Sequence, residues 1–378
     1  MGFESIVARV EYGLAMIAHI FSFFSGAGFL DLGFEDEEFE VVFVNEVHQP
    51  FATAYKYSRQ VRNRSDPAYG FSIGSIERLL TRKNLEGLKE NVATSRQSGA
   101  LVGFIGGPPC PDFSVAGKNL GKDGENGRLS KSYIDLIIKV KPDFFLFENV
   151  RGLYRTKVHR EFFDSMKRSL AKSGYSLEEK LINSLEYGAP QDRERIILVG
   201  MLNPRNRHFL SEKDWARETL FNKKDVLSKE WPTEEAPRKS RKPPKDLPLE
   251  LSVQHWFDRN DVTTHPNQKH VFTPRAGLAR FTTVFEGDVS RKSYKRLHRW
   301  RYSPTAAYGN NEVHIHPYLP RRISVAEALA IQSLPRDYEF PDTLTLSAMF
   351  KAVGNGVPYL AARGIARMIK KSLAREFS

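Results

Sequence analysis

The sequence predicts an α/β protein: a doubly wound, mostly parallel sheet with a second, smaller domain beside it. Three observations predict this. Apolar runs of strand length recur through the first 200 residues. Turns rich in glycine, proline or carboxylates separate them from helical stretches. After about residue 203 the alternation weakens, and basic, aromatic and proline-rich sequence replaces it. Strands covered by helices on both faces read as continuous apolar runs.

The elements follow in order. Residues 16–24 read as a strand, and Ser25-Gly26-Ala27-Gly28 as a turn into a helix that opens with Phe29-Leu30-Asp31. Residues 40–45 (EVVFVN) are a second strand and 49–57 a helix. Residues 100–105 (ALVGFI) are a strand that ends at Gly106-Gly107. Residues 133–140 are helical, 143–147 (DFFLF) are a strand, and 195–200 (RIILVG) another. The polar clusters after Phe24, Asn45, Ile105 and Phe147 fall beyond the strands' carboxyl ends, where such sheets bind ligands. Helical periodicity returns at residue 323, so the chain divides into 1–203, 204–340, and a segment 341–378 that rejoins the first unit.

Composition narrows the function. The 378 residues are 40% hydrophobic and 27% charged, as in a soluble globular protein. The net charge of +12 suggests a polyanionic partner. Residues 204–320 hold 22 Lys and Arg against 14 Asp and Glu, with all four tryptophans, so the partner is expected there. Within them, residues 232–248 (PTEEAPRKSRKPPKDLP) read as an extended linker. Residues 291–302 (RKSYKRLHRWRY) interleave basic and aromatic side chains. One cysteine excludes an internal disulfide and a thiolate metal site, so no metal is expected and the chain reads as cytoplasmic. Residues 13–30 carry no charge, but His19, Ser22, Ser25, Gly26 and Gly28 interrupt them, against a membrane span or signal peptide.

Four loops carry candidate chemistry. In Phe24-Ser25-Gly26-Ala27-Gly28, two near-adjacent glycines allow close approach of a ligand. Asp31 stands where a dinucleotide fingerprint needs its third glycine, and no phosphate-loop lysine follows. An adenosine cofactor without pyrophosphate fits, and S-adenosylmethionine is the common one. Glu46 follows the second strand, where a carboxylate could accept from both ribose hydroxyls. A plain glycine turn and a solvated carboxylate would read the same way. The third loop, Gly106-Gly107-Pro108-Pro109-Cys110-Pro111, fixes a thiol between prolines, and an inert buried cysteine is the alternative. Glu148, after DFFLF, should emerge partly desolvated, and desolvation raises a carboxyl pKa. Arg193 and Arg195, two residues apart, could lower the thiol pKa or hold a base and a phosphate, or belong to an edge-strand ion-pair ladder.

Together these residues resemble the cytosine-C5 DNA methyltransferase family, of the kind found in bacterial restriction-modification systems. FSGAG resembles the cofactor loop, Glu46 the ribose-binding acid, and Pro109-Cys110 the nucleophile motif. Glu148-Asn149-Val150 resembles the ENV motif and Gln191, Arg193 and Arg195 the QxRxR motif. Residues 322–335 (RISVAEALAIQSLP) are similar to the helix that supports the recognition domain. Gly354-Asn355-Gly356-Val357 resembles the GNxV motif. These motifs span nearly the whole chain.

The resemblance implies a Rossmann-like fold that uses S-adenosylmethionine, a recognition domain over 204–340, and double-stranded DNA as partner. It implies catalytic roles for Cys110, Glu148, Arg193 and Arg195. It implies a cofactor site made of Phe24, Ser25, Gly26, Ala27, Gly28, Phe29, Glu46, Val47, Ser75, Ile76, Pro109, Asn355 and Val357. One departure stands out: Ser75-Ile76 replaces the family's Asp-Ile, which reaches the adenine amino group. The thiolate would add to C6 of a flipped cytosine, Glu148 would hold a proton near N3, and Arg195 would orient the base at O2 and balance Glu148. Arg193 would assist nearby and Asn149 would order the loop. Residues 114–128, with four glycines, read as a lid. A monomer is expected, with a restriction endonuclease as functional partner but no stable complex. The alternatives are a related enzyme acting on transfer RNA and a catalytically silent DNA-binding relative.

Overall fold

The computed structural model describes residues 17–109, 125–154, 156–236, 242–274, 277–291, 293–306, 308 and 313–377. Cys110 and residues 111–124 therefore lie outside the described residues, as do Met16 and residues 237–241 of the expected linker.

Seven strands form one sheet: β1 (Ala18–Phe23), β2 (Glu40–Glu46), β3 (Phe71–Ile73), β4 (Leu101–Gly106), β5 (Phe144–Val150), β6 (Tyr175–Asn183) and β8 (Glu194–Leu202). Their order is β3-β2-β1-β4-β5-β8-β6. The five strands from β3 to β5 are parallel. Strand β8 runs antiparallel to both β5 and β6. Strand order reverses between β1 and β4, so the crevice for a ligand opens beyond Phe23 and Gly106. A pair of short strands, β7 (Gln191–Asp192) and β9 (Ser303–Pro304), lies outside this sheet.

Side-chain alternation builds a core on each face. Phe21, Phe23, Val102, Phe104, Phe145, Phe147, Ile196 and Leu198 face one way. They pack on the helices Arg82–Gln97, Glu125–Val140 and Lys157–Lys172. Ile20, Leu101, Ile105, Phe144, Leu146, Ile197 and Val199 face the other way. There they meet Phe29–Glu35 and Tyr359–Phe377. Helices on both faces make the sheet doubly wound, as expected.

A third cluster joins Ala27, Phe29, Phe51 and Ala54 to Trp256, Phe257, Leu329, Met349 and Val353. The apolar core thus runs continuously across residues 204 and 341. Among the described residues, 204–340 form β9 and short helices such as Glu212–Arg217, Val253–Arg259 and Val325–Ile331. The last begins where residues ISVAE predict it. Ser324 Oγ accepts from the Glu327 amide at 3.1 Å, and Glu327 Oε2 accepts from the Ser324 amide at 2.7 Å. Of the stretch expected as a lid, residues 114–124 lie outside the described residues, and residues 125–128 open the helix Glu125–Val140.

Two sheet glycines make room for rings on the next strand. A Cβ on Gly103 would lie 2.2 Å from the Phe144 ring, and one on Gly200 would lie 2.0 Å from the Phe145 ring. Both rings are fully buried. Gly200→Ala is therefore expected to lower unfolding free energy by about 1–3 kcal/mol through overpacking. Urea unfolding measures this, and an unchanged midpoint would remove the ring contact as the reason for glycine.

Candidate active site

The ends of β4 and β5 lie side by side, with Gly106 opposite Phe147. Glu148 is the next residue out, 9% exposed. Its Oε1 is 2.7 Å from Arg195 Nε. Its Oε2 lies where a side chain on Gly107 would go, 2.6 Å from that Cβ position. Gly107 is thus glycine because the Glu148 carboxylate occupies its space, three residues ahead of Cys110. Asn149 ties down the same loop: its Nδ2 donates to the Pro108 carbonyl at 3.3 Å, and its Oδ1 accepts from the Val150 amide at 2.8 Å.

Antiparallel β8 brings Arg195 across to Val150. Arg193 ends on different partners. It is 2% exposed, and its guanidinium donates to Gln191 Oε1 (3.4 Å), the Ala306 carbonyl (3.1 Å) and the Gly354 carbonyl (2.8 Å). The chain leaves the large sheet at Gln191–Asp192 to pair with β9, so Arg193 sits in that junction and not on a regular strand. Gln191 Nε2 donates to Gln332 Oε1 at 3.1 Å, and Gln332 donates to the Val353 carbonyl. Gln332 is fully buried and braces three motifs. The only signal for it in the sequence is the polar pair Gln332-Ser333 in the otherwise apolar run ALAIQSL.

The loop after β1 has the build of a small-ligand cradle. Gly26 has φ +56° and Gly28 +84°, a region that favours glycine. A Cβ on Gly26 would meet nothing within 4 Å, whereas Gly28 is closed by the Tyr55 ring at 2.4 Å. Ser25 Oγ is buried and makes no hydrogen bond among the described residues. Glu46, the last residue of β2, accepts from the Gly26 amide on Oε2 (2.8 Å) and from the His48 amide on Oε1 (2.7 Å). Each oxygen keeps a further lone pair, so the carboxylate is oriented and can still accept. Beside it Val47 is 54% exposed, an apolar face free to cover a flat ring. An open glycine, an orphaned hydroxyl, an aimed carboxylate and an exposed valine fit an adenosine-type group.

Other expected cofactor residues fall as follows. Ser75 caps the short helix Ile76–Leu80, and its hydroxyl is engaged with Glu77 (3.3 Å from the amide, 3.2 Å to Oε2). Ile76 buries its side chain in the core. Phe24 has φ +52° and stands edge-on to Tyr133. Phe29 packs against Gly356, whose Cβ would lie 2.1 Å from the ring. Pro109 is partly buried, Asn355 is exposed at a helix end, and Val357 joins the core.

The basic-aromatic segment 291–302 is largely internal. Arg296 is buried, and its guanidinium donates to the carbonyls of His316 (2.7 Å), Leu319 (3.1 Å) and Phe281. Arg299 pairs with buried Glu286 at 2.8 and 3.0 Å. Trp215, Trp231 and Trp256 are buried too. Much of the expected polyanion surface therefore holds the region together. Lys242, Lys245, Arg259, Arg280 and Arg291 remain exposed.

Asp31, the residue that breaks the dinucleotide pattern, is fully buried. It accepts from Ser22 Oγ and from the Tyr55 hydroxyl, each at 2.8 Å. Burial raises its pKa to about 7, against the pull of the two hydroxyls. In the unfolded chain the group ionises near 3.8. Between those values the folded state binds more protons, so stability falls with rising pH by roughly 1.4 kcal/mol per unit from this group. The fall is complete once pH exceeds the folded pKa. Asp31→Asn is expected to flatten the decline of the urea midpoint between pH 5 and 7.5. Parallel curves for the two proteins would refute the assignment.

A model of the family described as C-5 cytosine-specific DNA methylase matches residues 18–371. The chain is 61% identical over 358 residues to Type II methyltransferase M.NmeDI of Neisseria meningitidis serogroup C, covering 95% of this chain and 84% of that one. It is 29% identical over 364 residues to Type II methyltransferase M.MthTI of Methanothermobacter thermautotrophicus, covering 94% and 97%. The fold is similar to that of a DNA modification methyltransferase encoded within an Escherichia coli prophage (TM-score 0.65, 20% identity, 94% and 99% covered). Among the described residues no helix is long and apolar enough to cross a membrane. Carrying that family's pattern over nearly its whole length, the chain belongs to the C-5 cytosine-specific DNA methylases and is a DNA cytosine-5 methyltransferase.

Proposed function

We propose that the chain moves a methyl group from S-adenosylmethionine to C5 of a cytosine flipped out of duplex DNA. The reaction runs through a bond between Cys110 Sγ and C6, and the chain serves as the modification enzyme of a Type II restriction-modification system in the cytoplasm. The carrying observation is the Glu148 carboxylate, clamped by Arg195 and pressed against Gly107 of the cysteine loop. The relatives named as Type II methyltransferases support the restriction-modification role.

C5 of cytosine is a weak nucleophile. Addition of the Cys110 thiolate to C6 pushes the ring electrons toward C5, and Glu148 holds a proton at N3 as they move. Arg195 keeps Glu148 in place and orients the base at O2. Arg193 acts one step back, as a positioning residue, by locking the junction that carries Arg195. S-adenosylmethionine supplies an electrophilic methyl group when bound, held by the loop 24–28, Glu46, Val47, the Ile76 backbone and Pro109. After transfer to C5 a base removes the C5 proton, the C5–C6 double bond re-forms, and Sγ leaves. Attack on the ring face requires the cytosine out of the stack, at a cost of a few kcal/mol. Residues 204–340 offset it, with the exposed Lys242, Lys245, Arg259, Arg280 and Arg291 as the candidates to meet phosphates.

Transfer of labelled methyl to duplex DNA tests the reading. Cys110→Ser is expected to abolish product, and Glu148→Gln to lower kcat by about 100-fold or more while DNA still binds. Wild-type labelling by Cys110→Ser would sink the covalent route, and product on cytosine N4 would sink the C5 assignment.

A further inference from the structure

Residues 334–340 form a strap between the helix Val325–Ile331 and the loop after β1. Tyr338, 1% exposed, donates its hydroxyl to the Ala27 carbonyl. That carbonyl belongs to the peptide entering Gly28, whose φ is +84°. The Tyr338 ring stands edge-on to Phe29 at 5.1 Å, and Phe340 stacks on Phe29 at 6.5 Å. Tyr55 closes Gly28 from another side. The peptide is thus held at its oxygen and boxed by rings.

The strap is held in turn from residues 260–267. Asn260 Nδ2 donates to the Leu334 carbonyl at 2.8 Å. Asn267 donates to the Phe340 carbonyl at 2.8 Å and accepts from the Phe340 amide at 2.9 Å. His265 Nδ1 accepts from the Asn267 amide at 3.1 Å, so its proton is on Nε2, which faces the Tyr338 carbonyl at 3.2 Å. All three side chains are buried. Each lies more than 70 residues before the strap residue it holds, and far from every motif in the sequence.

We propose that Tyr338 is a positioning residue for the methyl donor, and that the strap 334–340 couples the donor loop to Asn260, His265 and Asn267. The proposal rests on reading the loop 24–28 as the donor site. Without the hydroxyl, the Ala27 carbonyl is buried unpaired, and Gly28 lets the peptide rotate to relieve it. The Gly26 amide, fixed on Glu46, would shift with it.

The test uses the full chain. Tyr338→Phe is expected to raise KM for S-adenosylmethionine about tenfold, with kcat at saturating donor within about twofold and DNA affinity unchanged. Asn260→Ala, which leaves Tyr338 intact, is expected to raise the same KM several-fold. It carries the comparison if Tyr338→Phe does not fold. A variant that is merely destabilised would lose kcat and leave KM alone, and that result overturns the proposal. Glu46→Gln separates the two readings. If it raises donor KM while both strap variants leave it unchanged, only the coupling fails. If Glu46→Gln also leaves KM unchanged, the donor-loop reading fails and the strap proposal with it.

Discussion

The Arg195–Glu148 pair joins the two halves of the sheet. Glu148 ends the parallel half, and Arg195 arrives on the strand that reverses direction. A carboxylate this buried needs a partner to remain in place. Arg195 supplies one, and it can do so because β8 pairs antiparallel with β5 in a register that sets Arg195 opposite Val150. The rest of the site is arranged around the result. Gly107 yields its side-chain space to the carboxylate, and Asn149 fixes Pro108 beside it. The loop that leads to Cys110 is therefore shaped by the residues that would act with the thiol.

Several guanidiniums do structural work that their charge does not suggest. Arg193 and Arg296 satisfy backbone carbonyls at places where the chain has no regular partner. A guanidinium carries five donors in a planar fork, so one side chain can close several loop ends at once. This explains how the described residues of 204–340, with few regular elements, are tied together. It also means that the net charge of +12 overstates the cationic surface. Composition points to the right class of partner, but partly through residues that do not face it.

The central strands were legible because they are apolar on both faces, and β1, β2, β4 and β5 begin and end close to where the runs predict. β3 was not, because three residues on a sheet edge leave too short a pattern. β6 lies on a half-covered edge and carries Glu178-Glu179-Lys180 at its centre, and these charges hide the strand. At the site, the motif positions were legible but their pairings were not. No spacing says that Arg195 meets Glu148 while Arg193 meets Gly354, since these contacts span 47 and 161 positions. The resemblance supplied Arg195 as a partner for Glu148. The fold shows why Arg193 is not a second one.

Glycine is where sequence and structure part most instructively. Read in sequence, every motif glycine offers the same close approach to a ligand. In the fold the space beside Gly28 is taken by Tyr55, that beside Gly107 by Glu148, that beside Gly354 by the Tyr308 backbone, and that beside Gly356 by Phe29. These glycines admit the protein's own groups. Gly26 alone among the motif glycines has open space, together with a left-handed φ and an amide fixed on Glu46. Room for a ligand to approach therefore narrows from a glycine-rich pattern to one residue. The other glycines explain how aromatic rings and a carboxylate can press closely enough to hold that residue still.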